Sequence, residues 1–586
     1  MMLIDRVPRR TFIQGAAVVA GASTLAGCSS SGDGDSKLSA TGKPVKGGPK
    51  STPNTDVLYP DGCVGPKATT KTPVTTERAT ITVVVPQDVG IGSWNKNAFG
   101  EWFEKRTNVH VNYKEVAVGS NNGTSDLMTK VNAILASGDL PDVFMLSPGF
   151  TLSQLELYGS NQKLFIPLND IIDGYCPETR RLFQDYPDAK IVSTMPDGKI
   201  YTLPALEDCF HCSAGDDRVW IYQPWLDKLG LKMPETLDEF EEVLKAFKTK
   251  DPNGNGRSDE IAFTTQGKDA TFDKFIMGSF LYNPGTPWLV LDNGKVDVTF
   301  NKPGWRQGLQ YLNKLYKQGL IPKDSFTRTQ EQTLRLGNAK TPVLGTVRGY
   351  YWATFVDIVE DQAHPRYRDY VCVPTLKGPN GFRTASWDYY LPYYVGSFVV
   401  TKASKIPEIA TMWGDGLYDL ESTMRACYGV FGSDWRWAKK GETGIDGRQA
   451  IWKDITTWPA KPGRSWVNDG LNYRSNNFRL GEAVDPAHPT FEKLLYENTK
   501  RAYYPYRQTQ DLQLPPLAMT SDQSGQLADL QVTINDYVLS MMTKFILGNS
   551  DPNDDRAWNS YLGTLNKMNL SHYLAINQEA YESRPK

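Results

Sequence analysis

Thr80-Ile81-Thr82-Val83-Val84-Val85 is a β-branched run near the start of the folded chain, and Leu140-Pro141-Asp142-Val143-Phe144-Met145-Leu146 is a second apolar run downstream. Runs this short, rich in Val and Ile, fill strands buried on both faces. Between them, residues 97–106 place Phe99, Trp102 and Phe103 at helical spacing, and Val109-His110-Val111-Asn112-Tyr113 alternates like another strand. Residues 125–136 then put Leu127, Met128, Val131, Ile134 and Leu135 on one helix face. Strand and helix alternating in this way predict an α/β lobe.

Upstream, Arg9-Arg10 precedes an apolar run from Gly15 to Leu25 that is too short to span a bilayer. A charged start followed by such a run reads as an export signal, and the twin arginine resembles the Tat type. Leu25-Ala26-Gly27-Cys28 matches a bacterial lipobox, which implies cleavage before Cys28 and lipidation there. Residues 1–28 are therefore read as a lipoprotein signal. Residues 29–78 are rich in Ser, Thr, Gly, Pro and Lys and are read as a disordered tether, with a reach of roughly 40 Å.

About 500 residues remain, enough for two or three cores. The net charge is −2, and no Lys/Arg block offers an electrostatic footprint for nucleic acid. HExxH, GxSxG and Walker-type motifs are absent, and the five histidines are scattered. An exported glycosidase stays open at this point, because a chain of this size always contains carboxylate pairs. Besides Cys28, the cysteines are Cys63, Cys176, Cys209, Cys212, Cys372 and Cys427. An exported context permits disulfides. Cys209-Phe210-His211-Cys212 has redox-motif spacing, is half a zinc site, or is purely structural; bonded or buried structural cysteines are preferred.

Asp251-Pro252-Asn253-Gly254-Asn255-Gly256-Arg257-Ser258-Asp259-Glu260 carries oxygen ligands at positions 1, 3, 5 and 9 of a loop, with Gly at 6. That is EF-hand spacing for Ca2+, with Arg257 at position 7 offering its carbonyl. The acid falls at position 10, Glu260, so a helix-loop-helix is not expected. A plain Asn/Gly turn is the alternative. Thr236-Leu237-Asp238-Glu239 forms a capping box upstream, and Ile261 to Thr265 reads as a strand downstream. Asp551-Pro552-Asn553-Asp554-Asp555 lacks the glycine and reads as an N-capping turn rather than a second metal site.

The strand at 80–85, the helix, and Ser137-Gly138-Asp139-Leu140-Pro141-Asp142-Val143 resemble the opening lobe of extracellular solute-binding proteins of ABC transporters. Trp225 to Leu231 with Thr236 to Phe240, residues 403–420, and Phe545 to Gly548 with Trp558 to Tyr561 match later blocks of the same family. The likeness is strongest to the large branch with alginate-oligosaccharide binders, which carry a similar calcium loop. It implies an α/β periplasmic-binding-protein-like (type II) fold, two lobes joined by hinge strands with a ligand cleft between. Lobe one is placed at 79–205 with 371–420, and lobe two at 206–370 with 421–586. The implied role is capture of an oligosaccharide and delivery to an ABC permease, by a monomer anchored outside the cell membrane. A peptide or other polar solute is the alternative cargo.

Sugars present apolar C–H faces, which flat aromatics cover. The resemblance places Trp352, and more weakly Tyr351, at a strand-end turn that faces sugar. It also offers Trp387 and Tyr389, Trp435 in a Tyr428-to-Trp435 turn, Trp94 with Asn95 in the first strand-to-helix loop, and Trp220. Arg218 and Asp217 are candidate polar contacts or a solvated pair.

Overall fold

The computed structural model describes residues 42–118, 124–215, 218–359, 364–456, 460–467 and 469–584. Lobe one is built on a six-stranded sheet in the order Tyr473–Arg474, Leu203–Glu207, Tyr393–Val400, Val143–Met145, Ala79–Gln87, Val109–Ala117. The β-branched run supplies its centre, with Ile81, Val83, Val84 and Val85 at zero exposure. Alternate side chains feed two cores, one on each face: Ile81, Val83 and Val85 meet Phe99 and Phe103, while Val84 meets Leu127 and Val131. The helix Ala98–Thr107 starts where the Asn97 side chain accepts from Phe99 N and ends on left-handed Asn108.

Lobe two holds a four-stranded sheet ordered Tyr370–Cys372, Val219–Tyr222, Leu344–Arg348, Ile261–Thr265. Its helix Leu237–Thr249 begins with the expected Thr236–Glu239 capping box. Helices Phe491–Ala502, Ser521–Leu547, Asp555–Lys567 and Leu570–Ser583 contribute to the same core. No helix among the described residues is long and apolar enough to cross a membrane.

Two expected boundaries move. Strand Tyr370–Cys372 pairs with Val219–Tyr222, so lobe one resumes only near Tyr393 rather than at 371. Trp466 and Tyr473 stay with lobe one: Tyr473 pairs beside Leu206, and Trp466 shares the core of Ile81. The sequence pattern there is too irregular to reveal a strand that forms only by pairing with a distant partner.

The expected disordered tether is also corrected for residues 42–78. Ser51–Pro53 pairs with Thr69–Lys71, and Val57 and Ala68 join a core with Leu420, Met424, Trp435 and Trp452. Thr69 donates from both its N and Oγ1 to Asp419 Oδ2, at 3.0 and 2.6 Å. Low apolar content excludes a segment from building its own core. It does not prevent one from lying as a strap on a wall formed by another. The signal residues, Cys28 and the start of the tether lie outside the described residues.

Candidate ligand cleft and cation loop

Strand directions fix where the lobes face each other. In lobe one, Ala79–Gln87 and Val143–Met145 run parallel. Both Val143–Met145 and Leu203–Glu207 run antiparallel to Tyr393–Val400. The ends at Gln87, Met145 and Glu207 therefore share one edge, and from Glu207 the chain crosses to lobe two. In lobe two, Arg348 pairs level with Val219 and Thr265, so the loops after Arg348 and Thr265 emerge where the crossing chain enters. Ligands of open α/β sheets bind at such carboxyl ends. The gap is thus bordered by residues 88–92 and 146–150 on one side and 266–267 and 349–351 on the other.

Lobe one presents carboxylates to this gap. Burial, with Asp88 close by, pushes the Asp469 carboxyl up to about 8, against a hydrogen bond from Ser147. Glu207 accepts from Asn472 Nδ2 at 3.2 Å and from Arg474 Nη1 at 3.3 Å. Gly149 and Gly396 let the loop after Met145 lie on strand Tyr393–Val400: a Cβ on Gly396, at φ +84°, would fall 2.0 Å from Phe150 O. No local sequence pattern marked Asp88, Ser147, Glu207 or Asp469, which come from separated segments.

The expected aromatic contacts divide by burial. Trp94, Trp220, Trp352 and Trp435 are at most 1% exposed. Each indole N–H donates to a main-chain oxygen: Pro86, Gly349, Tyr370 and Gly429 respectively, at 2.8–3.0 Å. Trp220 and Trp352 pack on each other, 4.4 Å between ring centres. These four side chains hold cores together and have no face left for a sugar. Asn95 brackets the free edge strand, donating to Tyr113 O and accepting from Tyr113 N. Trp387 is 7% exposed, and Tyr389 is half-buried with its hydroxyl donating to Gln508 O. Tyr351 is half-buried in the loop that follows Arg348. Arg218 is fully buried and committed to Tyr350 O and Thr499 Oγ1, at 2.6 and 2.9 Å. Asp217 lies outside the described residues.

The loop 251–260 is wound around its own oxygens. Asp251 Oδ1 accepts from Gly254 N and Asn255 N, and Oδ2 from Gly256 N, at 2.9–3.1 Å. Asn253 Oδ1 accepts from Asn255 N, and Asn255 Oδ1 from Arg257 N. Both asparagine amides donate to Asp259. Gly254 and Gly256 each sit at φ +73°, which side chains rarely adopt. Glu260 is 2% exposed, and its Oε1 has no hydrogen-bond partner. Burial, with Asp251 and Asp259 nearby, pushes its carboxyl up. A buried carboxylate short of a donor, beside two others, fits the demands of a cation with oxygen ligands.

Cys209 and Cys212 are joined by a disulfide. Cys209, His211 and Cys212 offer ligand atoms within 4.8 Å of one another, but the bond uses both sulfurs, so this state carries no zinc half-site. Cys63 is half-exposed, and Cys176, Cys372 and Cys427 are buried and lie outside the disulfide.

Residues 86–413 match the sequence profile of bacterial extracellular solute-binding proteins. The chain is 28% identical over 498 residues to the fructooligosaccharide ABC transporter substrate-binding protein FusA of Streptococcus pneumoniae, across 83% of this chain and 87% of that protein. Structures of S. pneumoniae FusA with kestose, and of an EF-hand mutant with fructo-nystose, superpose with TM-score 0.67 at 25% identity, covering 86% of this chain and 99% of theirs. The alginate-binding protein AlgQ2 without calcium shares the fold, at TM-score 0.59 and 21% identity over 87% of this chain and 99% of that one. Profile and fold agree on two α/β lobes of the type II periplasmic-binding-protein kind, and the chain belongs to the bacterial extracellular solute-binding protein family.

Proposed function

We propose that this protein is the substrate-binding component of an ABC importer and that its cargo is an oligosaccharide. The observation that carries this reading is the likeness to a fructooligosaccharide binder along 83% of the chain. Ligand enters the gap between the sheet edges and bridges both lobes, and rotation about the crossings closes over it. Tyr351 covers a sugar face from lobe two, and Tyr389 and Trp387 are further aromatic contacts. Asp88, Asp469 and Glu207 accept from hydroxyls on lobe one. The protein binds and releases without catalysis. It works as a monomer, held at the outer face of the cell membrane by a lipid on Cys28, and passes cargo to the permease.

The loop 251–260 holds a structural Ca2+. Asp251, Asn253, Asn255, Asp259 and Glu260 would supply side-chain oxygens and Arg257 its carbonyl, as EF-hand spacing requires. Two observations support this assignment: Glu260 Oε1 is buried without a partner, and FusA was solved as an EF-hand mutant.

The test is calorimetric titration of the full chain with kestose, a human milk oligosaccharide, an oligogalacturonide and a tripeptide. Micromolar binding of one glycan class, about −8 kcal/mol, is expected. Binding of the peptide with no glycan response would overturn the cargo assignment.

A further inference from the structure

The turn Cys209–Cys212 lies on the first chain crossing between the lobes, just after strand Leu203–Glu207 and before strand Val219–Tyr222. All the crossings meet on it. Phe210 N donates to Asn476 Oδ1 at 3.1 Å, which ties it to the crossing after Tyr473–Arg474. His211 Nε2 stands 2.6 Å from the carboxylate of Glu492, in the first turn of helix Phe491–Ala502, and Arg479 pairs with the same carboxylate at 3.4 Å. Ser213 O accepts from Asp388 N at 2.9 Å, on the crossing that leads to strand Tyr393–Val400. The Phe210 ring sits among Trp387, Tyr496 and Tyr504, with ring centres 4.8–5.2 Å apart.

Inside the turn, Cys212 N and Ser213 N both donate to Cys209 O. Cys209 is 1% exposed, whereas Cys212 is half-exposed. An incoming thiolate therefore has one sulfur to attack, Cys212 Sγ, and Cys209 is the leaving group.

We propose that the Cys209–Cys212 disulfide is a reversible redox-modification site that sets the rigidity of all the interlobe crossings. A small thiol attacks Cys212 Sγ, the Cys209–Cys212 bond breaks, and Cys209 leaves as a thiolate that takes up a proton. A second thiol resolves the mixed disulfide, so two small thiols become one small disulfide and the protein gains two S–H groups. Two thiols cannot sit as close as two bonded sulfurs, and Cys209 has packed neighbours on every side. The turn must therefore shift, carrying Phe210 out of its aromatic socket and His211 away from Glu492. A loosened hinge loses more entropy when it closes on ligand, so affinity falls. This binding consequence rests on the function proposed above; the change in hinge rigidity does not.

The experiment uses the full chain at neutral pH, oxidised, or treated with dithiothreitol and then with reoxidant. Peptide-resolved alkylation reports the state of Cys209 and Cys212, and ligand-free hydrogen exchange reports residues 208–218 and 491–495. Expected results are reduction of the pair in the native protein, at least tenfold faster exchange in both segments, recovery on reoxidation, and at least threefold weaker kestose binding. The Cys209→Ser/Cys212→Ser double variant should match the reduced protein. A pair that stays oxidised until the protein unfolds, or exchange unchanged by reduction, overturns the proposal. Kestose failing to bind in either state would count only against a fructooligosaccharide cargo, and hydrogen exchange would still decide this proposal.

Discussion

Lys71 Nζ lies 2.6 Å from Glu178 Oε1, with the two side chains 3% and 1% exposed. This pair joins the N-terminal strap to the helix Pro177–Asp185 of lobe one, and Arg181 completes it from the other side of the carboxylate at 2.7 Å. Asp419, fully buried near it, accepts from Thr69 of the strap and pairs with Arg106 at 3.1 Å. The strap is thus part of the charge balance of the lobe it crosses.

Removing one partner of a buried ion pair costs about 3–5 kcal/mol, because the other charge is left without compensation. Lys71→Met should destabilise the fold by about 3 kcal/mol, toward the low end because Arg181 remains on Glu178. A chain starting at Ala79 should be less stable still. Urea denaturation followed by tryptophan fluorescence checks both, and a chain from residue 79 as stable as one from residue 42 would refute the role of the strap.

Calcium should raise the unfolding midpoint, and a chelator should lower it. At a free concentration of 100 times the dissociation constant, the native state gains about 2.7 kcal/mol. Glu260→Gln removes the buried charge while keeping the side-chain volume, so it should abolish most of the calcium response. Thermal scans with calcium and with chelator measure this. An equal response in wild type and variant would exclude Glu260 as a ligand.

Trp352→Ala should damage the fold rather than the affinity. Truncating a fully buried Trp costs about 3–5 kcal/mol, and the pair with Trp220 and the bond to Tyr370 O are lost as well. Tyr351→Ala should leave the unfolding midpoint within a few degrees and weaken oligosaccharide binding at least tenfold. Calorimetry beside thermal scans separates the two effects, and full affinity in Tyr351→Ala would remove that residue from the site.

Asp469 gives the stability a pH signature. Its folded pKa is raised to about 8, first by burial and then by Asp88. Such a group contributes stability that is complete below its unfolded pKa of about 3.9 and is lost as pH rises through the folded value. The Asp469→Asn variant stays neutral at this position throughout. Asp415 and Asp454, raised to about 6 and about 7 with burial the leading cause, act in the same direction but are present in both proteins and cancel in the comparison. The wild-type midpoint minus the midpoint of the Asp469→Asn variant should therefore decline between pH 4 and pH 8. A constant difference across that range would contradict the burial of Asp469 beside Asp88.

The sequence alone determined the local units. The run at 80–85 read as a buried strand and forms one, the Thr236–Glu239 box started a helix where expected, and residues 261–265 formed the strand read from them. The loop 251–260 was legible because its oxygens recur within ten consecutive residues, and turn geometry is a property of adjacent φ and ψ angles. What the sequence left open depends on contacts between distant segments. Whether Trp352 faces a sugar or Trp220 is decided by which strand lies beside Leu344–Arg348, and its neighbour Val219–Tyr222 comes from far earlier in the chain. The acids at the cleft edge, the strap on lobe one and the meeting of the crossings at Cys209–Cys212 are of the same kind. Burial and ion pairing are set by what packs against a residue, and only the tertiary structure brings Lys71 to Glu178 or Phe210 to Asn476.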